Sequence, residues 1–167
     1  GFPSVVVSTI TDYLIKKFYP NMPAGEAGDI VSNGNFLLDD ILSNDYKLFD
    51  KNSNLLFTYP SYSTFGYVIR TNRSVDAFYI ANVRTSPLTN LILKKISNVG
   101  IEISSRTLLG ITRTEGIAVN NTETILYHVR DTNGAAISRY DLIADAPMSD
   151  LVGGVTNYRL QDLLFLE

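Results

Sequence analysis

The chain has 167 residues, 45% hydrophobic and 19% charged, which suits one domain with a real core and excludes a disordered chain. Its 14 Lys and Arg against 17 Asp and Glu leave a net charge of −3, and the scattered basic residues argue against electrostatic capture of nucleic acid or an acidic membrane. Having no Cys removes disulfides, thiolate catalysis and cysteine metal sites, one His makes zinc a poor prospect, and no apolar run approaches the roughly 20 residues of a membrane span.

Gly1 stands where a Met would start, so the terminus reads as processed, excised or a cloning remnant, with no retained signal peptide. Residues 4–18 predict a helix. Val7, Ile10, Leu14 and Phe18 share one face, Pro3 precedes the first turn, Lys16 and Lys17 suit the C-terminal end of the dipole, and Pro20 ends it. The β-branched Val5-Val6-Val7 lowers helix propensity and keeps a strand at 4–10 as the competing reading. Residues 1–20 are thus an N-terminal helix or arm whose apolar face must cover its own core or another subunit. Residues 21–35, with Pro23, Gly25, Gly28 and Gly34, read as a linker or loop, leaving 36–167 as the main domain.

Phe36–Leu42 predicts a short helical turn capped by Asn35. From Leu55 onward, short β-branched and aromatic runs alternate with polar turns, the signature of sequential antiparallel strands. The runs are 55–59, 65–70, 75–83, 91–93, 99–103, 108–112, 116–119, 123–130, 135–143 and a closing strand at 160–166. Residues 75–83 are apolar on both faces, with Val75, Ala77, Tyr79 and Ala81 on one and Phe78 and Ile80 on the other. Such a strand needs cover on both sides and belongs at the centre. Asn133-Gly134 is the strongest hairpin turn, and Gly153-Gly154 marks another turn. The expected fold is mainly β, an antiparallel β-sandwich, with no internal repeat visible.

Three constellations carry candidate chemistry. Asp39 and Asp40 lie in the densest group of oxygen ligands, near Asp45 and Asp50, and would take Ca²⁺. An EF-hand is excluded, because Leu55 replaces its Gly and Ser61 its closing Glu; capping and turn formation is the plainer role. Tyr59, Tyr62 and Tyr67, with Arg70 and Arg73, combine aromatic faces with guanidinium groups and would suit a stacked sugar or a protein partner. The plainer reading is that Phe65 and Tyr67 are the inward face of a strand. His128 sits mid-strand with no nucleophile elbow, and the segment from Gly110 to Gly116 lacks the Lys of a phosphate loop.

The order of Leu37-Leu-Asp-Asp40, Leu55–Thr58, Val75-Asp-Ala-Phe-Tyr-Ile80 and Leu160–Leu166 resembles the galactose-binding-like, discoidin-type jelly roll. The missing Trp departs from that family's early loop, where Tyr46 or Phe49 would stand in. The resemblance implies a jelly-roll-like sandwich, of a kind found in divergent form in phage structural proteins. From it we expect a non-enzymatic structural or adaptor subunit of a phage or viral particle or extracellular appendage. Such a protein is located in the virion or outside the cell and works through other protein subunits as a homo- or hetero-oligomer. The alternative is a carbohydrate-binding module whose aromatic surface takes a glycan, supported by Ca²⁺.

Overall fold

A computed structural model describes residues 27–40, 42–60, 67–83, 90–111, 114–130 and 135–155. The arm at 4–18 with Val7, Ile10, Leu14 and Phe18, the Asn133-Gly134 turn, Tyr62 and the strand expected at 160–166 lie outside them. The described residues are all β, with no helix among them. Twelve strands form: β1 Gly28–Ile30, β2 Phe36–Asp40, β3 Asp45–Phe49, β4 Leu55–Pro60, β5 Tyr67–Asn72, β6 Ala77–Val83, β7 Asn90–Ser97, β8 Glu102–Leu109, β9 Thr114–Val119, β10 Ile125–Arg130, β11 Ala135–Asp141 and β12 Ala146–Val155. They make three four-stranded antiparallel sheets, β1–β4, β5–β8 and β9–β12, in which every neighbour is the next strand in sequence.

The mainly β, sheet-on-sheet expectation is met, but the order is not that of a jelly roll. A jelly roll folds Greek keys into two sheets, whereas here three plain meanders follow one another. The connections within each sheet are short in sequence, so each four-strand unit closes locally before the next begins. Close backbone approach between sheets is concentrated on the first strands, with β5 lying against β1 and β2 on one side and β9 on the other. Four-stranded meanders repeated face to face, first strands adjoining, are the arrangement of neighbouring blades in β-propellers.

The middle sheet is buried on both faces. Toward the first sheet it presents Ile69, Phe78, Ile80 and Ile96, packed against Leu37, Tyr46, Leu48 and Tyr59. Toward the third it presents Tyr79, Ala81, Leu91, Leu93 and Leu108, packed against Ile117, Val119, Leu126 and Tyr140. The two-faced apolar run is therefore central as expected, and Phe78 and Ile80 are 0% exposed. Val75 falls in the turn before β6 and is exposed.

Two local expectations are corrected. Residues 36–40 are strand, not a helical turn: strand alternation buries Leu37 between sheets and lets Asp39 exchange backbone and side-chain bonds with Ala27. Gly153-Gly154 lies within β12, beside a register shift between Ala135 and Ile137, so the pair serves a bulge rather than a turn. On β10, Leu126 and His128 share the face that meets the middle sheet.

The turns supply the repeat. Gly34, Asp76 and Glu123 carry φ of 86°, 47° and 57° in the first hairpin of each sheet, and Ser53, Gly100 and Asp145 carry 78°, 93° and 56° in the third. Left-handed residues at matching places show that each sheet is built on the same chain path.

Candidate interaction site at the sheet faces and seams

Matching the hairpins makes Phe36, Phe78 and Leu126 equivalent, as are Leu38, Ile80 and His128; their cross-strand partners are Phe49, Ile96 and Tyr140, then Lys47, Lys94 and Ser138. On the second and third sheets this face, here called the leading face, is covered by the preceding sheet. On the first sheet no other sheet among the described residues covers it, although Phe49 and Asp40 on it are buried. Ile30, paired with Phe36, is 58% exposed, Leu55, paired with Phe49, is 52% exposed, and Leu56 beside it is 40% exposed. Phe36 and Phe49 stack at 5.3 Å between ring centroids, so the open face is a packed apolar surface with Leu38 on its flank.

A lysine on the leading face is paired with a carboxylate in two sheets, though the partners stand on different strands. Lys94, buried under the first sheet, reaches Glu102 at 2.8 Å. Its equivalent Lys47 bonds Asp40 and lies 3.6 Å from Asp45. Burial alone would raise Asp40; hydrogen bonds from Lys47, Ser43 and the Leu42 and Ser43 N–H groups outweigh it and bring its pKa down to about 2. A pre-paired lysine is what a face needs if it is to be desolvated.

On the third sheet no other sheet among the described residues covers the opposite, trailing face, although Ala118 on it is buried. Ile125, Tyr127 and Ile137 are half-buried there, Val152 opposite Ile137 is 39% exposed, and Val129 among them is already covered.

Polar struts lock the seams. Between the first two sheets, Asp76 accepts from Ser32 N–H at 2.9 Å, Ser32 Oγ at 2.6 Å and Asn98 Nδ2 at 2.5 Å, and the Ser32 bonds lead the causes that lower its pKa. Asp29 accepts from the Thr71 N–H and hydroxyl at 3.0 and 3.2 Å, beside a cleft of about 280 Å³ that Arg73 also lines. Between the second and third sheets, Lys95 meets Glu123 at 2.6 Å at the edge of a cleft of about 240 Å³. Burial lowers Lys95 and raises Glu123. Arg106 bridges to Asp145 at 2.6 Å and to the Leu142 carbonyl at 2.7 Å. Each of these clefts is crossed by a bond from one sheet to the next.

The residues expected to form a ligand surface are dispersed. Tyr59 is 8% exposed in the first seam, donates its hydroxyl to the Gly100 carbonyl, and is pushed up to about 12 by burial and by Glu102. Tyr67 opens β5 at the inner edge, Arg70 lies 4.0 Å from Asp29, and Arg73 is exposed at the other end of the strand. The described geometry does not gather Tyr59, Arg70 and Arg73 on one solvent-facing surface. Asp39 and Asp40 are consecutive on β2 and so point to opposite faces, Asp39 toward Ala27 and Asp40 toward Lys47. Among the described residues no three His, Cys, Asp or Glu side chains cluster as metal ligands. His128 stands opposite Ser138, but the Ser138 hydroxyl donates to Asp150 at 2.7 Å, not the proton path of a Ser-His-Asp triad. Sequence reasoning missed Ile30, Leu55, Leu56 and the strut residues Ser32, Asp76, Lys95 and Glu123. The available signal was an exposed-strand pattern: Leu55-Leu56-Phe57 is apolar at three successive positions, one more than a single buried face requires.

No family model matches the chain, and no curated protein matches it. Among solved structures, a functionally unknown protein from Desulfotomaculum acetoxidans DSM 771 superposes with a TM-score of 0.54 at 13% identity, covering 78% of this chain. The match spans 43% of that protein, less than half its length. What the two chains share at this identity is a fold.

Proposed function

We propose that the protein works non-enzymatically, as an assembly or adaptor subunit that joins other protein through the open leading face of its first sheet. One observation carries this reading: Ile30 is 58% exposed and Phe36 only half-buried on a face where their equivalents Val119, Phe78 and Leu126 are at most 5% exposed. Fully burying a large aliphatic side chain is worth about 1.5–3 kcal/mol, so such a surface favours a partner over water. A virion or extracellular appendage is the setting in which this reading places it, on the analogy of divergent β-domains in phage structural proteins. Glycan binding finds less support, because Tyr59 is engaged in the seam.

Hydroxyl-radical footprinting tests the reading on the chain in extract of the cells that make it and on purified chain from dilute to concentrated. Protection of Ile30, Leu55 and Leu56 in the extract, or as concentration rises, is expected. Equal labelling under all conditions overturns it.

A further inference from the structure

We infer that the partner is a second copy of this chain, and that two copies close head to tail, each first sheet taking the third sheet of the other. The inference rests on the assembly reading and names its partner. Within the chain, one rule of packing is used twice: the trailing face of a sheet covers the leading face of the next. Leu37 and Leu48 of the first sheet cover Phe78, Ile80 and Ile96 of the second. Tyr79, Ala81 and Leu93 of the second cover Leu126 and Tyr140 of the third.

Among the described residues the rule leaves one face of each kind without a sheet over it. The first sheet offers Ile30, Phe36 and Leu38, in positions equivalent to Val119, Phe78 and Ile80, which a trailing face covers elsewhere. The third sheet offers Ile125, Tyr127, Ile137 and Val152, in positions equivalent to residues that cover a leading face. Both halves of the missing seam are therefore carried by the same chain, and a second copy supplies both at once. A two-fold axis along the inner strands repeats the contact, so the assembly closes and leaves neither face open. Two copies bring six sheets, within the range of about 4–8 blades in closed β-propellers. The paired charge fits the same picture: Lys47 with Asp40 is ready for burial as Lys94 with Glu102 is buried under the first sheet.

The test is light scattering and sedimentation of the full chain with two charge-introducing variants, Ile30→Asp on the leading face and Val152→Asp on the trailing face. The wild type is expected to be a dimer, and each variant alone a monomer with unchanged β-sheet circular dichroism. An equal mixture of the two variants is then expected to recover dimer, because the intact trailing face of one meets the intact leading face of the other. A variant that loses its circular dichroism is replaced by Ile30→Ser or Val152→Ser. A wild type that stays monomeric at its highest soluble concentration overturns the inference. So does a Val152→Asp chain that still dimerises, which means that the leading faces meet each other. Oligomers that grow without limit also overturn it, since the ring then does not close. The assembly reading fails separately, when footprinting shows the leading face equally labelled everywhere; protection only in extract keeps that reading and rejects the second copy.

Discussion

Phe36 holds in the first sheet the place that Phe78 holds in the second, yet Phe78 is wholly buried while Phe36 is only half-covered. The difference comes from position in the stack. A first sheet lies over Phe78; among the described residues no sheet lies over Phe36. Phe78→Ala should therefore cost roughly 3–5 kcal/mol in denaturant unfolding. Phe36→Ala should cost no more than about 1.5 kcal/mol at concentrations where the chain is monomeric. Equal losses would mean that the first sheet's leading face is already sealed within the chain.

Gly100 tests how tightly the first seam closes. It has φ of +93°, and an added Cβ would lie 2.5 Å from a Phe57 ring carbon and 2.7 Å from Leu48 Cδ2. Gly110 has φ of +77° with only Pro147 near, at 3.8 Å. Gly110→Ala should cost about 1 kcal/mol, the backbone strain alone. Gly100→Ala should cost at least about twice that, because the buried Leu48 side chain and the Phe57 ring must also move. Urea midpoints of the two variants separate the terms.

Asp76 ties the first hairpin of the second sheet to Ser32 in the first, from a left-handed backbone. Asn tolerates that backbone and keeps part of the bonding, whereas Ala does neither. Asp76→Ala should cost about 2–3 kcal/mol and Asp76→Asn about 1 kcal/mol. Hydrogen exchange at the Ser32 amide should speed up in both.

Acid should loosen the first sheet. The Asp40 pKa falls from 3.8 to about 2 in the folded chain, so its contribution is fully present above the unfolded value and is lost as pH falls through about 2. The shift corresponds to about 2 kcal/mol. Stability measured from pH 5 down to about pH 2 should drop, and Asp40→Asn should flatten that part of the curve while lowering the plateau. An unchanged slope in the variant would assign the acid sensitivity elsewhere.

Strands and their turns were legible where composition and burial agree. The run 75–83 had to be central because neither face could meet water, and its strand part, Ala77–Val83, is. The stretch from Phe36 to Leu42 misled because its paired apolar residues also fit a helical turn; burial of Leu37 and Asp39 between sheets decided for a strand. The three-fold repeat was hidden for two reasons. Its first strands begin at Gly28, Tyr67 and Thr114, at unequal intervals, and its shared turn position is filled by Gly34, Asp76 and Glu123, which look nothing alike in sequence. The repeated quantity is a backbone angle, which chain chemistry expresses only loosely. The open faces were illegible for a related reason: an apolar strand residue reads the same whether or not a neighbour arrives to cover it.

Every ladder in the three sheets joins strands that are consecutive in the chain. All-β proteins tend to fold slowly because distant segments must find each other before any contact rewards the lost chain entropy. Here each pairing closes a short connection, so hairpins form on local timescales and no strand waits for a remote one. The search that remains is between finished sheets, settling Phe78 under Leu37 and Leu126 under Ala81. Refolding speed should therefore follow substitutions in the two seams more closely than substitutions in the turns, with docking rather than strand pairing as the slow event.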